Sequence, residues 1–232
     1  MPAVAVVIPA YNEAGRIGET VTAARTLPGV DTVVVASDGS TDATVRTARD
    51  AGATVWRTAR NQGKAAAMLA GAEAVRALDQ RSPGDGPRHL LFLDADVGVT
   101  AASAGPLIEP VAAAVADMTV AVFTTRVKLG GHGLVVRLAG AGIERATGWR
   151  PAQPLNGQRC LTRAAFDAAR PLARGFGVET AMSIDLKRQG LRILEVEVDM
   201  AHRATGTDLG SQLHRVRQLA DVARALATRV TV

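Results

Sequence analysis

The first hundred residues alternate between short apolar runs and helix-like segments, and this alternation restricts the fold more than any other feature of the sequence. Apolar runs of this length that end at proline or polar residues predict buried strands. The runs cover residues 4–8, 32–36, 54–57 and 89–93. The segments between them, 13–27, about 41–51 and 63–78, have helical spacing or capping residues. Strands that alternate with helices form a parallel sheet with helices on both faces, and ligands bind at the carboxyl ends of its strands.

The second half of the chain is less regular but continues with both kinds of element. Helices are predicted over 104–116, 134–147 and 178–189, and strands over 118–124, 191–198 and part of 153–162. A long amphipathic helix is predicted from about 209 to 228. Because there is no internal repeat and no clean domain boundary, we predict a single α/β domain with a mostly parallel sheet flanked by helices.

Composition excludes several classes of protein. Net charge is +5, but aromatic residues make up only 3% and the basic residues are scattered, so nucleic-acid binding is not expected. The single cysteine, Cys160, excludes an intrachain disulfide and a cysteine-based zinc site, and favours a cytoplasmic location. No apolar stretch approaches the roughly 20 residues of a membrane span. The N-terminus has no basic region and is interrupted by Pro9, so a signal peptide is not expected.

Two acidic side chains follow the fourth predicted strand directly, in the sequence Asp94-Ala95-Asp96. A chain that turns at the end of a strand can bring both carboxylates to one cation. Such hard oxygen ligands suit Mg²⁺ or Mn²⁺ that bridges a diphosphate. The alternative is an ordinary turn with solvated acids, although the apolar run before the pair makes this less favourable.

Two further polar segments lie at the same predicted edge of the sheet. Asp38 follows the second strand and could receive a polar ligand, but Ser40 or Thr41 behind it could simply cap the next helix. Lys64 opens the third helix, where backbone N–H groups and a positive side chain favour an anion. Since it is the only lysine in the first 127 residues, a specific role is favoured over a solvated one.

The order of these motifs resembles that of the GT-A glycosyltransferases, in particular glycosyltransferase family 2 and the related glucosyl-3-phosphoglycerate synthases. The segments that carry the resemblance in the first half are 8–13 (IPAYNE), 36–42 (ASDGSTD), 61–64 (NQGK) and 93–96 (LDAD). In the second half they are 153–158 (QPLNGQ), 175–179 (GFGVE), 184–185 (ID) and 201–203 (AHR). The resemblance therefore extends over most of the chain.

The resemblance implies a GT-A fold and a transferase that uses a UDP-sugar, most simply UDP-glucose, with Mg²⁺ or Mn²⁺. By position, the implied nucleotide-binding residues are Pro9, Ala10, Tyr11, Glu13, Asp38, Lys64, Asp94 and Ala95. The implied metal ligands are Asp96 and His202. The implied sugar- or acceptor-binding residues are Gly157, Gln158, Glu179 and Arg203, and the implied catalytic residues are Glu179 and Asp94. Residues 1–98 would then form the nucleotide-binding half, 99–207 the sugar and acceptor half, and 208–232 a C-terminal helix.

Departures from the family pattern narrow the expected reaction. Inverting members often have Glu-Asp where this chain has Glu179-Thr180, which favours a retaining reaction. Residues 130–135 (GGHGLV) replace the Arg-Val-Thr loop of the phosphoglycerate enzymes, so 3-phosphoglycerate is not assured as the acceptor. The Gln-x-x-Arg-Trp motif of processive synthases is absent. We therefore expect a non-processive enzyme with a small acceptor that could carry a phosphate.

Three alternatives stay open at this point. The last helix has an apolar stripe, and basic residues off that stripe could hold it on an anionic membrane, at the inner face, beside a polyprenyl-phosphate acceptor. The stripe comprises Leu209, Leu213, Val216, Ala220 and Ala223. The simpler interpretation is that the helix packs on the domain.

A catalytically silent nucleotide-sugar-binding protein is the second alternative. A sugar-phosphate nucleotidyltransferase, the third, would need a Gly-x-Gly-x-Arg loop where Tyr11 and Asn12 stand. The family also suggests a homodimer.

Overall fold

The computed structural model describes residues 3–81, 86–124, 133–201 and 209–229, and of 209–215 only the backbone. The strands are β1 (Val4–Ala10), β2 (Val30–Ser37), β3 (Thr54–Arg57), β4 (His89–Phe92), β5 (Met118–Phe123), β6 (Arg159–Leu161) and β7 (Ile193–Val198). The helices are α1 (Ile17–Ala24), α2 (Thr44–Asp50), α3 (Lys64–Asp79), α4 (Gly105–Ala112), α5 (Gly133–Thr147), α6 (Arg163–Ala168), α7 (Val178–Arg188) and α8 (Leu209–Ala227). Within the described residues, 3₁₀ helices cover Gly98–Ala104 and Gly175–Gly177.

The seven strands form one sheet in the order β3-β2-β1-β4-β6-β5-β7. Neighbouring strands are parallel except at β6, which is antiparallel to both β4 and β5. The predicted α/β domain with a mostly parallel sheet is therefore confirmed. The antiparallel β6 starts at the edge where β1, β2 and β4 end, so the segment before it is delivered to the carboxyl ends of the parallel strands.

Alternate residues of β1 face two separate apolar layers. Val6 and Ile8 pack in a cluster that includes Ile17 of α1, whereas Val7 packs in one that includes Met68 of α3. Both sets are fully or almost fully buried. A strand covered on both faces needs apolar residues at every position, which explains why β1 appears in the sequence as a continuous apolar run.

The start of α2 differs from the predicted one. The helix begins at Thr44, and neither Ser40 nor Thr41 caps it. Instead, Asp42 Oδ1 accepts a hydrogen bond from the Thr44 backbone N–H at 2.9 Å. Ser40 and Thr41 were available as caps, but both bond to Asn12 of the neighbouring loop, so a contact between loops replaces the local cap.

The face of the last helix that packs on the domain is not the predicted apolar stripe. In the described part of α8, the predicted stripe residues Val216, Ala220 and Ala223 are exposed. The buried side chains are Val222, Ala225 and Leu226, and Val222 and Leu226 belong to a cluster with residues of α5 and α7. The helix therefore packs on the domain, as the simpler interpretation predicted, but through the face that carries Val222 and Leu226. In the described ranges, no helix has the length and apolar character needed to cross a membrane.

Candidate active site

The loops that follow β1 and β2 are joined to each other by hydrogen bonds. The Asn12 backbone N–H donates to Ser40 Oγ at 3.1 Å, and Asn12 Oδ1 accepts from the Thr41 N–H at 2.9 Å. Asn12 has a φ of 55°, a left-handed conformation that asparagine tolerates better than most residues. The Glu13 N–H donates to Thr44 Oγ1 at 2.8 Å. These bonds join the two loops into one wall at the carboxyl edge of the sheet, with Tyr11 half exposed beside it.

Asp38 lies at the end of β2, as predicted, and organises the loop that leads into α3. Its buried carboxylate accepts hydrogen bonds from the backbone N–H groups of Gln62 and Gly63, at 2.9 and 2.7 Å, and from Thr58 Oγ1 at 3.1 Å. Gly39 next to it has a φ of 73°, and a Cβ there would lie 2.6 Å from the Arg60 carbonyl carbon. Only glycine fits this approach, so Asp38 and Gly39 together fix where α3 begins.

Lys64, the first residue of α3, lies between two carboxylates. Its Nζ is 2.7 Å from Asp94 Oδ1 and 2.7 Å from Glu179 Oε1. Burial alone would lower the pKa of Lys64, but Coulombic attraction to Asp94 and Glu179 and the hydrogen bonds to both raise it above its usual value. Lys64 is therefore charged at neutral pH and joins α3, the end of β4 and the start of α7.

Gln158 holds the other side of Asp94. Its Nε2 donates to Asp94 Oδ2 at 2.8 Å, and its Oε1 accepts from the Asp94 backbone N–H at 2.7 Å. Gly157 lies against the same group, because a Cβ there would come within 2.6 Å of Lys64 Nζ and 2.9 Å of both Asp94 carboxylate oxygens. Five of the predicted site residues, Lys64, Asp94, Gly157, Gln158 and Glu179, are thus brought together from four separate segments. We call this group the Lys64 cluster.

The loop that carries Asp96 is held by a residue that sequence reasoning missed. Thr20 of α1 is fully buried, and its hydroxyl donates to the Ala95 carbonyl at 2.9 Å and accepts from the Gly98 N–H at 2.9 Å. A signal was present in the sequence, because Thr20 falls on the apolar stripe of α1 with Ile17 and Val21. A polar residue on such a stripe needs a buried partner.

The remaining predicted residues lie at strand ends, in the adjoining loops, or outside the described residues. Pro9 and Ala10 are the last residues of β1, and Ala95 is buried between the two aspartates. His202 and Arg203 lie outside the described residues. Ala201, the residue before His202 in the chain, bonds to Thr100 Oγ1 at 3.4 Å, within the 3₁₀ helix that follows the Asp96 loop.

A second residue missed from the sequence is Arg159, which begins β6. It is only 1% exposed, and its guanidinium donates to the Asn156 carbonyl at 2.9 Å and to the Glu179 carbonyl at 3.0 Å. Among the many arginines of this chain, nothing in the sequence distinguishes Arg159 from the solvated ones.

The family model that describes glycosyl transferase family 2 matches residues 5–159, which is more than half of the chain. The chain belongs to glycosyltransferase family 2. The resemblance drawn from the motifs is thereby confirmed. A curated relative of this family 2 chain is "Glycosyltransferase AglJ" of Haloferax volcanii, 29% identical over 210 residues. The match covers 89% of this chain and 65% of that protein.

Solved structures similar to this family 2 chain include several of the glucosyl-3-phosphoglycerate synthase of Mycobacterium tuberculosis. One, with Mn²⁺, uridine diphosphate and phosphoglyceric acid, has a TM-score of 0.79 and 24% identity, over 100% of this chain and 79% of that one. Another, with phosphoglyceric acid, has a TM-score of 0.76 and 26% identity, over 99% and 80%. A third contains Mg²⁺ and uridine diphosphate, with a TM-score of 0.76, 24% identity and coverage of 99% and 79%. The predicted GT-A fold is confirmed.

Proposed function

We propose that this chain transfers a sugar from a UDP-sugar to a small acceptor, with Mg²⁺ or Mn²⁺, and without processivity. The Lys64 cluster carries the proposal, because it gathers a cation, two carboxylates and an amide at the carboxyl edge of a GT-A sheet. The similar synthase of M. tuberculosis has been solved with uridine diphosphate and either metal ion, which supports the choice of donor and cofactor. Residues 1–98 would serve the nucleotide and residues 99–207 the sugar and acceptor.

The nucleotide would lie against the wall formed by the loops after β1 and β2. Tyr11 offers an exposed ring there, and Pro9, Ala10 and Glu13 belong to the same segment. An ionised carboxylate has about four acceptor positions, and Asp38 receives four bonds from three donors of the loop that leads into α3. Two of the four come from the Gln62 N–H, so a base N–H or a ribose hydroxyl would replace one of them.

The donor set at the end of β4 fits a metal ion that is completed by the substrate. No group of three potential ligands that could hold a metal is found in the described ranges. Mg²⁺ at nucleotide sites uses one or two carboxylates together with phosphate oxygens and water, so Asp96 and a diphosphate would suffice. His202 is the further proposed ligand, and Ala201 before it bonds beside the Asp96 loop. When bound, the metal ion would supply positive charge to the departing diphosphate.

The chain's own charges would assist the same step. Lys64 is a fixed cation at the start of α3, and it would add to the stabilisation of charge that develops on the leaving diphosphate. Asp94 lies between Lys64 and Gln158, where it would face the sugar or the ribose. Both groups are already oriented by their neighbours, so little reorganisation would accompany the reaction.

Glu179 would bind hydroxyls of the donor sugar, beside Gly157, Gln158 and Arg203. The Glu179 side chain is 5% exposed and its Oε1 already accepts from Lys64, so an acceptor hydroxyl would have to compete for it. This arrangement, together with Thr180 at the next position, favours a retaining reaction. Glucose is the proposed sugar, and a small acceptor that carries a phosphate is compatible with the site. A homodimer stays a prediction.

One alternative acceptor has an observation in its favour. The exposed Val216, Ala220 and Ala223 form an apolar stripe on α8, and Arg217 and Arg224 beside it are also exposed. Such a face could rest on an anionic membrane and bring a polyprenyl phosphate to the site. Sedimentation with anionic lipid vesicles, compared between the wild type and Val216→Asp, tests this alternative. Equal sedimentation of the two proteins, or none, counts against it.

The experiment that tests the main proposal is release of UDP from UDP-glucose in Mn²⁺, with and without a panel of small phosphorylated and unphosphorylated acceptors. The expected result is metal-dependent release that an acceptor accelerates, and that Asp96→Asn abolishes. NMR of the product then gives the anomeric configuration. Binding of UDP-glucose without any release would contradict the proposal and favour a silent binding protein.

A further inference from the structure

Arg159 connects the two segments that carry Gln158 and Glu179, the residues of the Lys64 cluster that are proposed to bind the sugar. Its Nε donates to the Asn156 carbonyl and one terminal nitrogen reaches the Pro154 carbonyl, both in the segment that ends at Gln158. The other terminal nitrogen donates to the Glu179 carbonyl at 3.0 Å and to Ser183 Oγ at 3.1 Å. One side chain thus fixes the segment before β6 against the first turn of α7.

The charge of Arg159 is unusual for so deep a position. Burial lowers its pKa to about 10, and the carboxylates of Glu179 and Asp94 oppose this effect. Its hydrogen-bond acceptors within the described residues are carbonyl and hydroxyl oxygens, so the nearest compensating charges are those of the cluster. A buried charge without a direct ion pair is costly, and an apolar side chain of similar size would often be more stable there. The guanidinium instead orients the two segments to which it bonds, and it places a positive charge near the carboxylates of Glu179 and Asp94, which the proposed reaction would use.

The loops after β1 and β2, against which the nucleotide would lie, do not share these contacts. Asp38 and the loop it holds are bonded to one another and to the start of α3, while Arg159 bonds to the segment before β6 and to α7. A change at Arg159 therefore reaches Gln158 and Glu179 first. Since Gln158 and Glu179 would face the sugar, the reacting geometry should suffer more than nucleotide affinity.

We propose that Arg159 is a positioning residue that sets the rate of sugar transfer by holding Gln158 and Glu179 against Asp94 and Lys64. The inference rests on the proposed function, since it assigns Arg159 a role in that same site. If Arg159 has this role, a change of its guanidinium lowers kcat much more than it lowers the affinity for UDP.

The test compares Arg159→Lys with a matched control, Arg163→Lys. Arg163 is also buried, at 8% exposure, and lies just past the opposite end of β6, where it bonds to the Ala72 carbonyl and Asp79. Both substitutions keep a positive charge but lose the planar guanidinium, which donates several hydrogen bonds in fixed directions. Thermal unfolding gives the loss of stability for each, UDP-glucose turnover in Mn²⁺ gives kcat and KM, and calorimetry gives the affinity for UDP.

The expected result for Arg159→Lys is a fall in kcat of about tenfold or more, with UDP affinity within about threefold of the wild type. Arg163→Lys should lower the unfolding temperature to a similar extent and leave kcat near the wild-type value. Ser183→Ala, which removes one acceptor of the guanidinium, should give a smaller fall in kcat and covers the case in which Arg159→Lys fails to fold.

Two results overturn the inference in distinguishable ways. If Arg159→Lys and Ser183→Ala lower kcat no more than Arg163→Lys does, or lower UDP affinity as much as kcat, Arg159 is a structural residue only. If the wild type itself releases no UDP from UDP-glucose, the proposed function fails and this inference falls with it.

Discussion

The close approach of Gly157 to the side chains of Lys64 and Asp94 provides a sharp perturbation, Gly157→Ala. An added Cβ would lie 2.6 Å from Lys64 Nζ, so Nζ would have to retreat by about 0.8 Å to reach the 3.4 Å at which ordinary contact begins. Both Asp94 carboxylate oxygens, at 2.9 Å from the same Cβ, would have to retreat by about 0.5 Å. The methyl group would therefore push apart Lys64 and Asp94, two residues that are proposed to act on the sugar donor.

The expected effect falls on activity more than on stability. A misplacement near 1 Å can cost about 100-fold in rate, so we expect UDP-glucose turnover to fall by about 10- to 100-fold. Gly157 has no left-handed φ, and alanine at such a position commonly stabilises by about 0.4–1 kcal/mol through the unfolded chain. This gain should offset part of the strain, and we expect the free energy of unfolding to change by no more than about 1 kcal/mol.

The assay measures kcat and KM for UDP-glucose in Mn²⁺ together with urea unfolding of the same preparations. Gly105→Ala is the matched control, because a Cβ there meets only Pro28, at an ordinary 3.8 Å. The control should keep wild-type turnover. Turnover of Gly157→Ala within about twofold of the wild type would refute the reasoning, since the cluster could then absorb the displacement without consequence.

Three further predictions follow from other contacts. Lys64→Met should destabilise the protein by about 1–3 kcal/mol, because it leaves Asp94 and Glu179 without their shared cation. Adding Glu179→Gln should recover part of this loss in urea unfolding. Strict additivity of the two free-energy changes would contradict this prediction. Thr20→Val should cost about 1–3 kcal/mol and weaken Mn²⁺-dependent UDP binding, because the loop that carries Asp96 loses both of its bonds to the hydroxyl. Calorimetry that shows unchanged affinity would count against this. Burial lowers the pKa of His89, so the unfolded chain takes up a proton near pH 6.5 that the folded chain resists, and stability should fall below that pH by at most about 1.4 kcal/mol per pH unit. His89→Gln should remove this part of the pH dependence in urea unfolding between pH 7.5 and 5.5, and an unchanged slope would show that other groups cause it.

The sequence predicted the central strands of the sheet well because β1, β4 and the second half of β2 are buried on both faces. Such strands leave uninterrupted apolar runs, and each ends at the polar residue that the fold then places at the site, as Asp38 and Asp94 illustrate. The motif order and the resemblance it supported then placed Lys64, Gln158 and Glu179 at one site, which the geometry brings together.

What the sequence could not supply depends on partners that are distant in the chain. Ser40 could have capped α2 locally, but its hydroxyl oxygen accepts hydrogen bonds from the Asn12 N–H and from Ser37 Oγ instead. The face of α8 that packs is chosen by α5 and α7, so Val222 is buried while the equally apolar Val216 is not. Arg159 could not be distinguished because its role arises from four acceptors spread over thirty residues.

The most direct test of the central claim is calorimetric titration of the wild type and Asp96→Ala with UDP, GDP, CDP and dTDP, each in Mn²⁺ and in EDTA. We predict that UDP binds most tightly, that binding weakens strongly in EDTA, and that Asp96→Ala in Mn²⁺ resembles the wild type in EDTA. Binding of none of the four, or UDP binding that is indifferent to both the metal ion and Asp96, would contradict a metal-dependent UDP-sugar transferase.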